Sequence, residues 1–271
     1  MKIALNKIAL NGKIVDADTA RIDPSDRGLT LGDGLFETIA LRKGKPRRLP
    51  AHLARLRASG TALGIPLAYD DARMESLIAE VAAANGLSEG ILRITLTRGP
   101  GARGLALPTK PHPTLLITAA EAPPPAEPAR VIIAVSTRRN EFSPLSRMKT
   151  LNYMDNVIAR DEARQAGADD ALLLNTQGRV AESTVANIFL LVNGGLITPP
   201  VADGALPGVA RADVIRLTRA EEQPVTVEIL AKASEVFLSN ALGVRPVIQI
   251  GETTVGDGEP GLITQLVATR I

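Results

Sequence analysis

The chain has no cysteine, no tryptophan, only two histidines, and an aromatic content of 2% over 271 residues. Without cysteine there is no disulfide scaffold, no thiolate nucleophile and no cysteine-ligated zinc or iron–sulfur site. His52 and His112 alone do not make a histidine-rich metal centre, so no metal is expected. The scarcity of aromatics leaves little material for base-stacking platforms. A charge excess is missing too. Lys and Arg number 31 against 29 Asp and Glu, a net charge of +2, and the basic residues are scattered, so no nucleic-acid partner is expected. No window approaches the ~18 apolar residues that a membrane span needs. The opening stretch MKIALNKIALNGKIVDAD alternates polar and apolar residues and lacks the apolar core of a signal peptide. A cytoplasmic enzyme, away from membranes and acting on a small molecule, is the natural expectation.

What is present is ordinary for a globular protein: 45% hydrophobic and 22% charged residues, with a core to be built from Ala, Leu, Ile and Val. One stretch punctuates the chain. Glu121 to Pro128 reads EAPPPAEP, and a proline run of this kind continues neither a helix nor a central strand. It predicts a first domain over 1–120, a linker over 121–129 and a second domain over 130–271. In the first domain the patterning predicts strands at 7–15 and 37–41, helices at 50–63 and 70–85, then strands at 90–97 and 114–119. In the second it predicts a strand at 131–137, a helix at 154–167 carrying Val157, Ile158 and Ala159, and strands at 171–175 and 188–191 about the turn Thr176-Gln177-Gly178. A helix then runs from Gly208 to about Ala220 with Val214, Ile215 and Leu217 inward, followed by strands at 235–239 and 245–250. The fold class is α+β.

Chemistry is suggested by three neighbourhoods taken together. Lys149 lies just before a predicted helix, a place where a lysine is usually only solvated. Downstream, Arg179 to Phe189 reads RVAESTVANIF and sets one acid, Glu182, among apolar residues, where an unpaired carboxylate would be costly to bury. Further on, Leu206-Pro207-Gly208 opens a helix whose free N–H groups suit an anion such as phosphate. Lysine, acid and phosphate cradle are what pyridoxal phosphate requires: a Schiff-base partner, a carboxylate for the pyridine nitrogen, and an anchor for the phosphate.

In this order and spacing the motifs DGLFET (Asp33 to Thr38), HLARL (from His52), TRG (from Thr97), KTLNY (Lys149 to Tyr153), ESTVANIF (from Glu182) and PGVAR (Pro207 to Arg211) are similar to those of fold-type-IV, or class IV, pyridoxal-phosphate enzymes. That family includes branched-chain and D-amino-acid aminotransferases, R-selective amine transaminases and 4-amino-4-deoxychorismate lyases. The resemblance covers nearly the whole chain. It implies a D-amino-acid-aminotransferase-like fold of two domains, with the cofactor pyridoxal 5'-phosphate between a small N-terminal and a larger C-terminal domain, and a homodimer. By motif, Lys149 resembles the lysine that carries the cofactor, Glu182 the pyridine partner, and Arg55 the phosphate arginine, whose fork suits phosphate oxygens. Val209 and Ala210 would offer N–H groups to the phosphate, although many transaminases of the family carry threonine where Ala210 stands. Tyr153 stands where the branched-chain enzymes have a tyrosine touching the cofactor's hydroxyl. Each has a plainer role open to it: Arg55 as a solvated helix arginine, Tyr153 as filler, His52 as a structural neighbour of Arg55.

Within the family three features resemble the lyases. Ser239 to Val247 reads SNALGVRPV, with Asn240 and Ala241 expected near the cofactor. Phe36-Glu37-Thr38 sets a threonine where a hydroxyl could relay a proton during elimination, beside Phe36 as a substrate contact. RGPGARG, from Arg98 to Gly104, offers Arg98 and Arg103 to the substrate, Arg103 to a carboxylate, though Leu105 stands where a tyrosine often follows. The reading is a lyase converting 4-amino-4-deoxychorismate to 4-aminobenzoate and pyruvate, a step of folate synthesis. The alternatives are an aminotransferase of branched-chain L-amino acids, D-amino acids or R-amines, and a non-catalytic binding module that keeps the fold.

Overall fold

The computed structural model describes residues 6–271; Met1–Leu5, the start of the stretch read above as lacking a signal-peptide core, lie outside the described residues. The chain divides into two compact units. The first holds the chain up to Pro124 together with Met148–Asn152, and the second holds Pro125–Arg147 and Tyr153–Ile271. The boundary falls inside the proline run, as a segment without ladder hydrogen bonds would place it. The short return of Met148–Asn152 to the first unit has no counterpart in the sequence pattern.

The first unit contains β1 (Lys7–Leu10), β2 (Lys13–Asp16), α1 (Arg27–Leu31), β3 (Gly34–Arg42), β4 (Lys45–Pro46), α2 (Leu49–Leu63), α3 (Asp71–Ala84), β5 (Gly90–Thr97) and β6 (Thr114–Glu121). Among the described residues its strands form one sheet in the order β2-β1-β6-β5-β3-β4. The single strand expected over 7–15 is instead a hairpin, because Asn11 and Gly12 both take positive φ, 49° and 80°. Asn-Gly is the dipeptide that a two-residue turn of this hand prefers. Along β3, Leu35, Ile39 and Leu41 enter the core with Leu92, Ile94 and Leu96 of β5. Against them pack Leu49, Leu53 and Leu56 of α2 and Met74, Leu77, Ile78 and Val81 of α3, each set recurring every three or four residues. By strand alternation Phe36, Thr38 and Arg93 share the opposite face.

The second unit contains β7 (Ala129–Ile133), α4 (Met154–Gln165), β8 (Asp170–Leu174), β9 (Val180–Ser183), β10 (Asn187–Val192), β11 (Gly195–Thr198), α5 (Val209–Thr218), β12 (Glu221–Glu222), α6 (Val227–Leu230), β13 (Glu235–Asn240), β14 (Gly243–Ile250), β15 (Thr253–Thr254) and α7 (Leu262–Arg270). Its sheet runs β12-β11-β10-β13-β14-β7-β8-β9, with β15 paired to β14 and with β7 parallel to both β14 and β8. Val131, Ile188, Leu190, Val236 and Leu238 build one core face, while Phe189 and Phe237 stack at 5.1 Å on the other beneath α5 and α7. The faces of α4 and α5 show what each helix buries, and the second corrects an expectation. On α4 the buried residues are Asn156, Ala159 and Ala163, while Val157 and Ile158 are exposed. The repeat at every three to four residues selects the alanines, and two adjacent apolar residues cannot both lie on that narrow stripe. On α5, Leu217, expected inward with Val214, is 43% exposed, whereas Val214 is buried. The strand expected over 131–137 is β7, and it ends at Ile133.

Candidate active site

In the first unit, the segment holding Lys149 lies along the start of β3. The Phe36 N–H donates to the Lys149 carbonyl at 2.9 Å, and the Leu151 N–H to that of Gly34 at 2.9 Å. Backbone pairing therefore fixes the lysine's stem, and its Nζ stands 4.2 Å from the centre of the Phe36 ring. The guanidinium carbon of Arg93, on β5, lies 3.8 Å from the centre of the same ring. Thr38 is half-buried and pairs in register with Arg93. Lys149, Phe36, Thr38 and Arg93 thus form one amine- and hydroxyl-bearing patch on the face turned away from the core. Arg93 escaped the sequence reading. Its signal was there, a charged residue alternating with Leu92 and Ile94 in a strand.

The opposite face of β3 carries a carboxylate of another kind. Glu37 is 1% exposed and accepts from Arg55 Nε at 2.8 Å and Arg55 Nη2 at 2.6 Å, with His52 Nδ1 2.7 Å away. His52 and Arg55, three apart on α2, project from the same side of that helix. Burial works against the charge of Glu37, but hydrogen bonds and charge from His52 and Arg55 outweigh it and hold its carboxyl below the usual range. Arg55, expected at phosphate, therefore commits one edge of its fork to Glu37. Asp33 is arranged likewise: partial burial opposes its charge, and Arg98 and Arg27 prevail and lower its pKa. Arg98 is buried and braces the end of α2, donating to Asp33 Oδ2 at 2.7 Å and to the carbonyls of Leu63 and Gly64 at 2.8 and 3.0 Å. Those bonds commit its guanidinium to bracing, where a substrate contact had been expected. Arg103 is exposed on the following loop, whose Gly104 and Ala106 carbonyls accept from Arg27 Nη1 at 3.1 and 3.3 Å.

In the second unit, Glu182 lies on β9 and is 6% exposed. It is not an unpaired acid among apolar neighbours. Arg139 Nη2 stands 3.1 Å from Oε1, and Oε2 accepts from Asn187 Nδ2 at 3.3 Å and from the Leu206 N–H at 3.0 Å. Arg139 is itself aimed by bonds to the Gly204 and Ser146 carbonyls at 3.1 and 2.9 Å. Neither Arg139 nor Asn187 was singled out from sequence. α5 begins at Val209 and Ala210 behind Gly208, with no side chain capping it. Asn240 and Ala241 occupy the turn from β13 to β14, where Asn240 accepts from Leu242 N–H at 2.9 Å and donates to the Val185 carbonyl at 3.4 Å. Tyr153 sits half-buried at the start of α4.

These residues fit pyridoxal phosphate unit by unit. The first unit presents a primary amine against an aromatic face. The second presents a buried carboxylate held by a cation and two N–H donors, a helix start with uncapped N–H groups, and a buried Ser239 hydroxyl that makes no hydrogen bond among the described residues. Among the described residues no group of His, Cys, Asp and Glu could hold a metal ion, and no helix is long and apolar enough to cross a membrane.

The family model for amino-transferase class IV matches residues 34–250, and the chain belongs to that family of pyridoxal-phosphate-dependent enzymes. It is a fold-type-IV enzyme with a mixed α+β fold. A Methanocaldococcus jannaschii protein provisionally named a branched-chain-amino-acid aminotransferase is 36% identical over 267 residues, 96% of this chain and 93% of its own. D-alanine aminotransferase of Bacillus licheniformis is 31% identical over 278 residues, covering 98% and 95%. Among solved structures, 4-amino-4-deoxychorismate lyase from Pseudomonas aeruginosa shares 33% identity with a TM-score of 0.83, covering 97% of each chain. The branched-chain aminotransferase from Thermoproteus uzoniensis, solved with norvaline, shares 29% with a TM-score of 0.89, covering 97% of this chain and 92% of its own.

Proposed function

We propose that this enzyme is a lyase that converts 4-amino-4-deoxychorismate to 4-aminobenzoate and pyruvate. The observation that carries the reading is the hydroxyl of Thr38, on the same strand face as the Phe36 ring over which the Lys149 amine lies. Elimination needs a proton for the departing group as well as a base, and this face carries a hydroxyl two residues along the strand from the ring over which the amine lies. The lyase-like segments at Arg98 to Gly104 and Ser239 to Val247 support the same choice. When bound, pyridoxal phosphate supplies the electron sink that makes loss of the substrate's α-proton feasible. Lys149 would hold the cofactor, and its amine would move that proton. Glu182 keeps a negative charge for the pyridine nitrogen. Arg55 would serve as the phosphate arginine; in the second unit the N–H groups of Val209 and Ala210 would bind phosphate oxygens, and Tyr153, Asn240 and Ala241 would contact the cofactor. Phe36 and Arg103 contact substrate, Arg103 through a carboxylate. The enzyme works as a homodimer in the cytoplasm, a state favoured by the exposed Met154, Val157 and Ile158 on α4.

The test is enzymatically generated aminodeoxychorismate followed for 4-aminobenzoate, beside a panel of amino donors with 2-oxoglutarate and pyruvate. Thr38→Val sharpens it. General-acid assistance is typically worth ~10²–10⁴-fold, so product formation drops by that order while transamination of a simple amino acid barely changes. Equal survival of both activities makes Thr38 a packing residue and leaves the reading on the Asn240 segment.

A second reading, an aminotransferase, is favoured by the 36% and 31% identities to proteins of that name. Arg93 beside Phe36 gives it a physical basis, because a guanidinium on this face suits a dicarboxylate amino acceptor. Turnover of the donor panel without 4-aminobenzoate formation selects it. A non-catalytic module would give a colourless protein with no cofactor absorbance.

A further inference from the structure

Asn187 falls inside the ESTVANIF motif, but no role of its own has been given to it beyond one bond to Glu182. It opens β10, is buried, and spends both hydrogens of its amide: one on Glu182 Oε2 at 3.3 Å, the other on the Leu206 carbonyl at 2.9 Å. The peptide it holds from one side is held from the other, since the Leu206 N–H donates to the same Glu182 oxygen at 3.0 Å. A rotated amide would set its oxygen against the carboxylate, so the network itself fixes the orientation. Two residues beyond Leu206 stands Gly208, the residue before α5. Its φ of −69° is open to any residue, so backbone strain does not explain the glycine. Proximity does: a Cβ at 208 would overlap Asn187 Oδ1. One amide therefore touches the acid, the peptide that leads to the helix, and the helix start.

We infer that Asn187 is a positioning residue that locks the Glu182 carboxylate and the N-terminus of α5 into one register, so that the acid and the phosphate cradle are set together rather than separately. This rests on the roles given above to Glu182 and α5. Physically, a short side chain buried with both donors occupied has no alternative rotamer to take up, and moving it leaves a charged oxygen short of a donor. Gly208 is the space reserved for it.

The experiment titrates cofactor-stripped protein with pyridoxal 5'-phosphate and, separately, with pyridoxal, following the absorbance of the bound ring. The ratio of the two dissociation constants reads how well the phosphate is held, and a merely structural role would lower the melting temperature without moving it. Asn187→Ala is expected to weaken pyridoxal 5'-phosphate by ~10-fold or more, the scale of a lost hydrogen bond to a charged group, and to shrink the ratio. Gly208→Ala, which displaces the amide from the other side, is expected to shrink it similarly. The double variant should be no worse than the worse single one, because both changes break one contact. An unchanged ratio in both single variants overturns the inference, as does strict additivity in the double. Should Asn187→Ala fail to fold, Gly208→Ala alone decides. A wild-type ratio near one is a different result: it overturns the assignment of the phosphate to α5, and the inference with it.

Discussion

Two buried glutamates invite comparison, one in each unit. Glu37 is 1% exposed and Glu182 is 6% exposed, and each lies against an arginine. Glu37 receives its side-chain partners from one helix, with Arg55 bidentate and His52 alongside, so β3 and α2 close over it from a single direction. Glu182 gathers Arg139 from the loop after β7, Asn187 from β10 and a backbone N–H before α5. A carboxylate served by three separate segments needs all three in register, and a mistake in any one reorients it. The lesson is that burial does not distinguish the acid proposed to serve the cofactor. The more deeply buried one braces a helix, and convergence of independent segments marks the other.

The comparison can be broken in order of expected effect. On the roles proposed for its amine, as cofactor partner and proton carrier, Lys149→Ala should abolish turnover while circular dichroism and melting stay near wild type. Borohydride reduction and peptide mapping should place the label on Lys149, and a label on Lys232 would sink the assignment. Next, Glu37→Gln should cost ~3–5 kcal/mol in urea unfolding, the scale for stripping one partner from a buried pair. Its pH dependence carries a sign. The folded carboxyl is held below its ordinary value, so its contribution is full above the unfolded pKa of ~4.3 and is lost as pH falls through the folded one. The gap between wild type and variant should thus close on acidification, and a gap that widens would contradict the network.

Glu182→Gln should act on rate more than on stability, lowering turnover ~10²-fold with cofactor retained, the scale of removing a positioned electrostatic partner. If it instead unfolds the protein as Glu37→Gln does, the contrast between the two acids is false. Smallest of all is Asp16→Asn, which removes an exposed pair with Lys7 at 2.6 Å. Such a pair is worth ~0–1 kcal/mol and should fade in salt. A larger loss there would mean that burial is not what separates these carboxylates.

Much of this was legible without coordinates. The strands expected at 90–97 and 114–119 and helices α2, α3 and α4 follow from periodicity, glycine and proline, which act locally. Lys149 and Glu182 were named as candidate site residues through a resemblance spread over the whole chain. One error was also local: the Asn11-Gly12 turn was readable and splits the strand expected there. What sequence could not supply were partners far apart along the chain. Arg139 reaches Glu182 across 43 positions, and Arg55 meets Glu37 across 18, and nothing in either local pattern announces a partner. The residues by themselves determined which groups could do the chemistry and which segments would be helix or strand. Only the tertiary structure decided that Arg98 is a brace, that Glu182 is paired, and that Gly208 is a glycine because an amide lies where its side chain would be. Those outcomes depend on which segments pack against each other, and packing is a property of the whole chain.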